Sequence, residues 1–146
     1  MVNENLNRCP IFRSVPFLGD AWNLLILREA FSGVTRFDGF RKNLGIAPTM
    51  LTKRLNQLTE EGLLQKHRYS EHPPRDEYLL TPAGRDTLPL LLMLREWGKK
   101  HRCGQAGDRL LDAQTGQEIR PLLIDAVSGA PIGEREIVRK VLQEGD

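Results

Sequence analysis

Three stretches of helical apolar spacing, closed in turn by Gly33, Gly45 and Gly62, run directly into a segment whose apolar period is two. This switch of period constrains the fold more than any other feature of the chain. In "GDAWNLLILREAFSG", Trp22, Leu25, Ile26 and Phe31 mark a buried helix with Asp20 as N-cap and Gly33 as its stop. "TRFDGFRKNLG" follows with Phe37, Phe40 and Leu44, and "IAPTMLTKRLNQLTEEG" with Leu51, Leu55 and Leu58 on one stripe. The links are too short for anything but close packing, so the second and third segments read as a helix-turn-helix. After Gly62, "LLQKHRYS" and "DEYLLT" flank "EHPPR". Paired prolines exclude a central strand and leave two extended arms, with Arg75 at the hairpin tip. The expected fold class is mainly α with a small β-hairpin wing, a winged helix-turn-helix, with a short β-containing C-terminal extension.

Thr81 and Pro82 supply an N-cap and a first-turn proline for a further helix of about 18 residues, about 27 Å long. Its leucines surround the axis and do not keep to one stripe. Leu88, Leu91, Leu92, Leu94 and Trp97 are therefore the candidate dimer interface, the alternative being a helix sandwiched by its own extension. Pro89 is expected to bend this helix or to sit at an offset in it. The tail repeats itself, "DAQTG" at 112–116 and "DAVSG" at 125–129, which predicts two small turns in a short β unit. "EREIVRKVLQ" predicts a closing helix with Ile137, Val138, Val141 and Leu142 on one side. The division expected is 1–102 for DNA binding and dimerisation, and 103–146 for the extension.

With 146 residues, 40% of them hydrophobic, the chain holds one ordinary core. No apolar run approaches the roughly 18 residues that cross a bilayer, and the start, "MVNENLNRCP", lacks the pattern of a secretory signal. Cys9 and Cys103 make no disulfide framework. A cytoplasmic protein without membrane contact is expected. The net charge of +2 hides an asymmetry: residues 1–102 carry 16 Lys and Arg against 11 Asp and Glu, whereas the remainder carries 5 against 8. Between residues 36 and 75 stand Arg36, Arg41, Lys42, Lys53, Arg54, Lys66, Arg68 and Arg75, against four acids.

On a helical wheel centred on Leu51, Leu55 and Leu58 fall within about 40°, while Thr49, Thr52, Lys53 and Asn56 lie between about 100° and 200°. A helix with this division can bury one face and read DNA with the other. Lys53 and Asn56 suit base edges, Thr49 and Thr52 a thymine methyl or a phosphate, and the flanking Arg54 a phosphate. A basic hairpin tip can enter the minor groove or clamp a phosphate. The candidate DNA-binding set is Arg36, Thr49, Thr52, Lys53, Arg54, Asn56, Arg68 and Arg75. The rival non-enzymatic reading is a winged-helix module that binds protein without sequence-specific DNA binding. Catalysis has little to stand on, because His67, His72 and His101 lie near no nucleophile elbow, phosphate loop or metal triad.

The run from Cys9 to Gly98 resembles the HxlR family of bacterial winged-helix transcription regulators. It carries a leading Cys-Pro, "G-x-x-W-x-x-x-I-L", "RF-x-x-F", "LT-x-RL", "L-x-x-EGL", "Y-x-x-x-PPR-x-EY-x-LT-x-x-G" and a closing "W-G". The resemblance implies a homodimer on operator DNA near promoters, with residues 47–60 in the major groove and the Arg75 hairpin as wing. It also implies that the N-terminal helix and the helix of residues 82–101 form the dimer. Twofold-related recognition helices would set half-sites about 34 Å apart or a multiple of that. In some members of the family the cysteine matching Cys9 senses oxidants or electrophiles, a task that needs an accessible thiolate near cations such as Arg8. The alternative is a small buried hydrophobe. Some relatives carry cysteine knuckles in a C-terminal extension, but only His101 and Cys103 are near the corresponding place here, and two ligands do not close a zinc site. No cofactor or metal is expected. The effector, the operator and the sign of regulation stay open.

Overall fold

Asp20 begins the principal helix as its sequence position suggests. In the computed structural model, which describes residues 4–142, Asp20 has extended backbone and its side chain accepts a hydrogen bond from the Asn23 amide at 3.0 Å. The helices before and after it are α1 (Glu4–Asn7), α2 (Pro10–Leu18), α3 (Ala21–Phe31), α4 (Phe37–Leu44) and α5 (Pro48–Glu60). α4 stops where Gly45 takes a left-handed conformation, φ 62°, and returns its amide to the Arg41 carbonyl at 2.9 Å. Three residues later Pro48 opens α5, its missing N–H being one that a first turn does not use. This abrupt reversal is the turn of the helix-turn-helix.

Ile26 and Leu27 of α3, Phe40 of α4 and Leu51, Leu55 and Leu58 of α5 are completely buried together. Phe37 and Leu44 pack against them from the side. Each such side chain contributes about 1.5–3 kcal/mol relative to exposure. Leu27 lies off the spacing that marked this helix in the sequence, yet it belongs to the same core. α3 is buried on more than one side because both α2 and the helix-turn-helix lie against it.

Gly62, at φ 79°, turns the chain out of α5 into β1 (Leu64–Glu71), which pairs antiparallel with β2 (Pro74–Leu80). The hairpin turn is tighter than the five residues expected. Ser70 opposes Arg75 and Glu71 opposes Pro74, so Pro74 and Arg75 belong to the strand and the turn proper is His72–Pro73, joined by a cis peptide. A proline fits there because the end of an edge strand does not need its amide. The register slips between Arg68 and Ser70, leaving Tyr69 in a bulge. A further short pairing, not anticipated, joins Arg36 to Glu77, with the Tyr78 amide donating to the Thr35 carbonyl at 2.7 Å. It fastens the hairpin to the start of α4.

The helix expected after Thr81 is two helices. α6 (Pro82–Arg85) is capped by Thr81, whose hydroxyl accepts from the Gly84 amide at 3.0 Å, and α7 (Leu88–Gly98) begins after a break at Asp86 and Thr87. Pro89 explains the break. An unbroken helix would need its N–H against the Arg85 carbonyl, whereas in the first turn of a new helix the missing donor does no harm. A π-helical turn, Lys99–Cys103, follows α7.

The chain divides into two compact units, the second starting at Leu92. Within that second unit Arg95 holds Asp108 by an ion pair of 2.8 Å. The repeated turns form as expected and are copies of each other. Asp112 accepts from the amides of Gln114 and Thr115, Asp125 from those of Val127 and Ser128, and single bridges join Leu111 to Glu118 and Ile124 to Pro131. Gly116 and Gly129 close them with φ near 70°. The helix expected from "EREIVRKVLQ" does not form among the described residues, Gln143 lying outside them: residues 136–142 have no regular structure, and Ile137 and Val138 are over 70% exposed. Ten residues cannot hold a helix without a surface for their apolar side, and three of those four apolar residues are β-branched.

Candidate nucleic-acid interface

The buried leucines of α5 fix which way its other side faces. With Leu51, Leu55 and Leu58 turned inward, Thr49, Thr52, Lys53 and Asn56 are exposed together on the opposite side. The Thr52 hydroxyl donates to the Pro48 carbonyl at 3.0 Å, so it meets a ligand with its lone pairs and its methyl. Lys53 forms no ion pair among the described residues. Arg41 and Lys42, in the last turn of α4, are equally unpaired and line an open cleft of about 740 Å³ with Asp38 and the segment Gly45–Pro48. They belong to the basic cluster in the sequence, but only the turn geometry brings them to the start of α5.

Arg54 does not join this surface. Its Nη2 lies 2.9 Å from the Asp20 carboxylate, its Nη1 3.4 Å from Gln57 Oε1, and its side chain is about one-fifth exposed. The phosphate role expected for it gives way to a structural one, because the partner that claims its charge stands 34 residues earlier in the chain.

The hairpin differs again. Asp76 receives Arg68 at 3.2 Å and Lys66 at 3.6 Å, Arg68 also reaches Glu71 at 3.7 Å, and His67 lies 3.2 Å from Glu77. The hydrogen bond from Arg68, against slight desolvation and with help from both cations, holds the Asp76 carboxyl below its usual range; the same bond raises Arg68 further. Arg75 is exposed beside the turn and unpaired among the described residues. Arg36 is exposed with its guanidinium 4.3 Å from the Tyr69 ring centre, a cation–π contact that steadies the base of the hairpin. Of the eight candidate DNA-binding residues, Arg36, Thr49, Thr52, Lys53, Asn56 and Arg75 are thus free to meet a ligand, Arg68 is already neutralised, and Arg54 is committed elsewhere.

Cys9 is the N-cap residue of α2, half-buried with a free thiol; Cys103 is free and exposed. On α2, Ile11, Phe12 and Val15 are exposed, whereas Phe17 and Leu18 pack against the core. On α7, Leu88, Leu94 and Trp97 are exposed, as is Leu90, which sequence reasoning passed over. Leu92 is half-buried, and Leu91 is packed against the core of its own chain. Trp97 has the Arg102 guanidinium 4.6 Å above its ring and the His101 ring 5.1 Å away. Among the described residues no three His, Cys, Asp or Glu side chains converge to hold an ion, and no helix is long and apolar enough to cross a membrane.

Three packed helices, a glycine-closed turn into a helix with one polar face, and a hairpin fastened beside it define a winged helix-turn-helix protein. Residues 17–105 match the family model described as HxlR-like helix-turn-helix. The chain belongs to that family and is a transcriptional regulator of the helix-turn-helix type. An uncharacterized HTH-type transcriptional regulator of Mycobacterium tuberculosis is 41% identical over 122 residues, 73% of this chain and 77% of that one. YdeP of Bacillus subtilis, described in the same words, is 32% identical over 68% of this chain and 79% of its own. Among solved structures, PA1607, a proposed transcription factor, has a TM-score of 0.79 at 35% identity and covers 90% of this chain and 95% of its own. The redox regulator HypR in its reduced form has a TM-score of 0.61 at 31% identity over 66% of this chain and 96% of its own.

Proposed function

We propose that the chain is a sequence-specific regulator that acts in the cytoplasm as a homodimer on operator DNA near promoters. The observation that carries this reading is the division of α5: a completely buried leucine stripe opposite an exposed face of Thr49, Thr52, Lys53 and Asn56. Such a helix enters the major groove with its N-terminal half nearest the bases, where Lys53 reads guanine and Asn56 adenine. Arg41, Lys42 and Arg36 then stand where a phosphate backbone would pass, and Arg75 meets the neighbouring groove. The exposed apolar residues of α2 and of α7 supply the surface for a second copy, since soluble chains rarely leave such groups unpartnered. Residues 103–146 are read as an appended unit.

Binding of the purified chain to the DNA upstream of its own gene, with random duplex as competitor and at two salt concentrations, tests the reading. Specific, salt-sensitive binding at two chains per site is expected. A chain with no salt-dependent affinity for any duplex is instead a protein-binding module. Cys9 supports a second layer. A free, half-buried thiol at the N-cap of a nine-residue helix is a group that oxidation can reach, and HypR, a relative of similar structure, is described as a redox regulator. Oxidation is expected to change operator affinity of the wild type and to leave a Cys9→Ser chain unchanged.

A further inference from the structure

Behind the reading face of α5 lies a partly buried polar network, centred on the buried Asn23, that a helix held by apolar packing alone would not need. Asn23 of α3 is completely buried; its Nδ2 donates to the Phe17 carbonyl at 2.9 Å and to Gln57 Oε1 at 3.0 Å. Gln57 Nε2 reaches the Pro16 carbonyl at 3.5 Å, and Arg54 bridges Gln57 to Asp20. Asp20 in turn caps α3 through the Asn23 amide. The last carbonyls of α2 lack partners within their own helix, and here they are met by side chains from α3 and α5. Two buried atoms, Asn23 Oδ1 and Arg54 Nε, have no hydrogen-bond partner among the described residues. Directional bonds like those of Asn23, Arg54 and Gln57 fix the angle and register of a helix that leucine packing alone would let slide.

Arg54 and Gln57 alternate along α5 with Lys53 and Asn56, so whatever fixes the inner pair aims the outer pair. We propose that Asn23 and Gln57 are positioning residues for DNA recognition, tying α5 to the C-terminal end of α2 so that the pitch of the reading helix follows the placement of α2. The inference deepens the DNA-binding reading and rests on it. It gives a displacement of α2, whose other end carries Cys9, a direct route to the base-reading side chains.

The test uses the full chain and the duplex that the wild type selects from a random pool. Gln57→Met keeps the bulk and removes both hydrogen-bonding ends at a half-buried site; Gln57→Glu keeps the acceptor for Asn23 and Arg54, replaces the donor to Pro16 by a second oxygen and adds a negative charge beside Arg54. The expected result for Gln57→Met is a loss of tenfold or more in affinity for the selected duplex, with affinity for random duplex, its salt dependence and the thermal midpoint little changed. Gln57→Glu should keep more of the discrimination than Gln57→Met. A residue with a merely structural role would lower the midpoint and leave the selected-to-random ratio of the folded fraction alone. If Lys53→Ala collapses that ratio and Gln57→Met does not, the proposal is overturned while the DNA reading stands. If the wild type selects no duplex over the random pool, the DNA reading falls and takes the proposal with it.

Discussion

The proposed recognition helix and the hairpin both contribute cations to the basic cluster of the sequence, but the structure leaves them in different states. Lys53 on α5 and Arg41 and Lys42 just before it form no ion pair among the described residues, while Lys66 and Arg68 on β1 both spend their charge on Asp76. Such exposed pairs contribute little to stability, but they remove cations from the count available to phosphate. Counting basic residues therefore overstates the wing and understates the end of α4. In the proposed reading the helix carries both specificity and charge, and the wing contributes chiefly Arg75.

The comparison is broken most readily on the helix. Lys53→Ala and Asn56→Ala should each cost about 1–3 kcal/mol in operator binding, since a good bidentate base contact is of that size. Random-duplex affinity should fall far less for Asn56→Ala, and competition binding shows the difference. On the wing, Arg75→Ala should weaken all duplexes alike and reduce the slope of log affinity against log salt by about 0.9. Asp76→Asn sharpens the contrast, because it releases Arg68 and Lys66: affinity for random duplex should rise and its salt dependence steepen. Arg68→Ala is expected to have the smallest effect on affinity of the five, its charge being neutralised already.

A last prediction concerns the scaffold beneath the helix. Glu29, nearly buried on α3, accepts from Asn43 of α4 at 2.9 Å and from Arg28 at 2.8 Å. Burial alone would raise its pKa, but the hydrogen bonds from Asn43 and Arg28, with Arg28's charge, outweigh it and hold the carboxyl below its ordinary value. A group with a lowered folded pKa adds stability above the unfolded value, about 4.3, and loses it as pH falls through the folded one. The stability gap between wild type and Glu29→Gln in acid melts should therefore narrow as pH falls below the unfolded value.

Much of this was legible in the sequence because local rules and burial agree: the stripe of Leu51, Leu55 and Leu58, the Asp20 cap and the glycine stops each follow from spacing alone. The candidate site was legible as far as its outward face. The pairing of Arg54 was not legible because its partner Asp20 is distant in the chain, and no helical wheel distinguishes a paired flank from a free one. The same limit hid Asp76, which lies opposite Arg68 only once the strand register is fixed. The tail helix was overread for the opposite reason: the pattern of Ile137, Val138, Val141 and Leu142 is locally helical, but a pattern without a surface to cover does not fold.

The most direct measurement is the ratio of selected to random duplex affinity for wild type, Lys53→Ala and Asp76→Asn at two salt concentrations. The helix-centred account predicts that Lys53→Ala collapses the ratio and that Asp76→Asn tightens both duplexes and leaves the ratio unchanged. An unchanged ratio in Lys53→Ala, or an unchanged random-duplex affinity in Asp76→Asn, would contradict it.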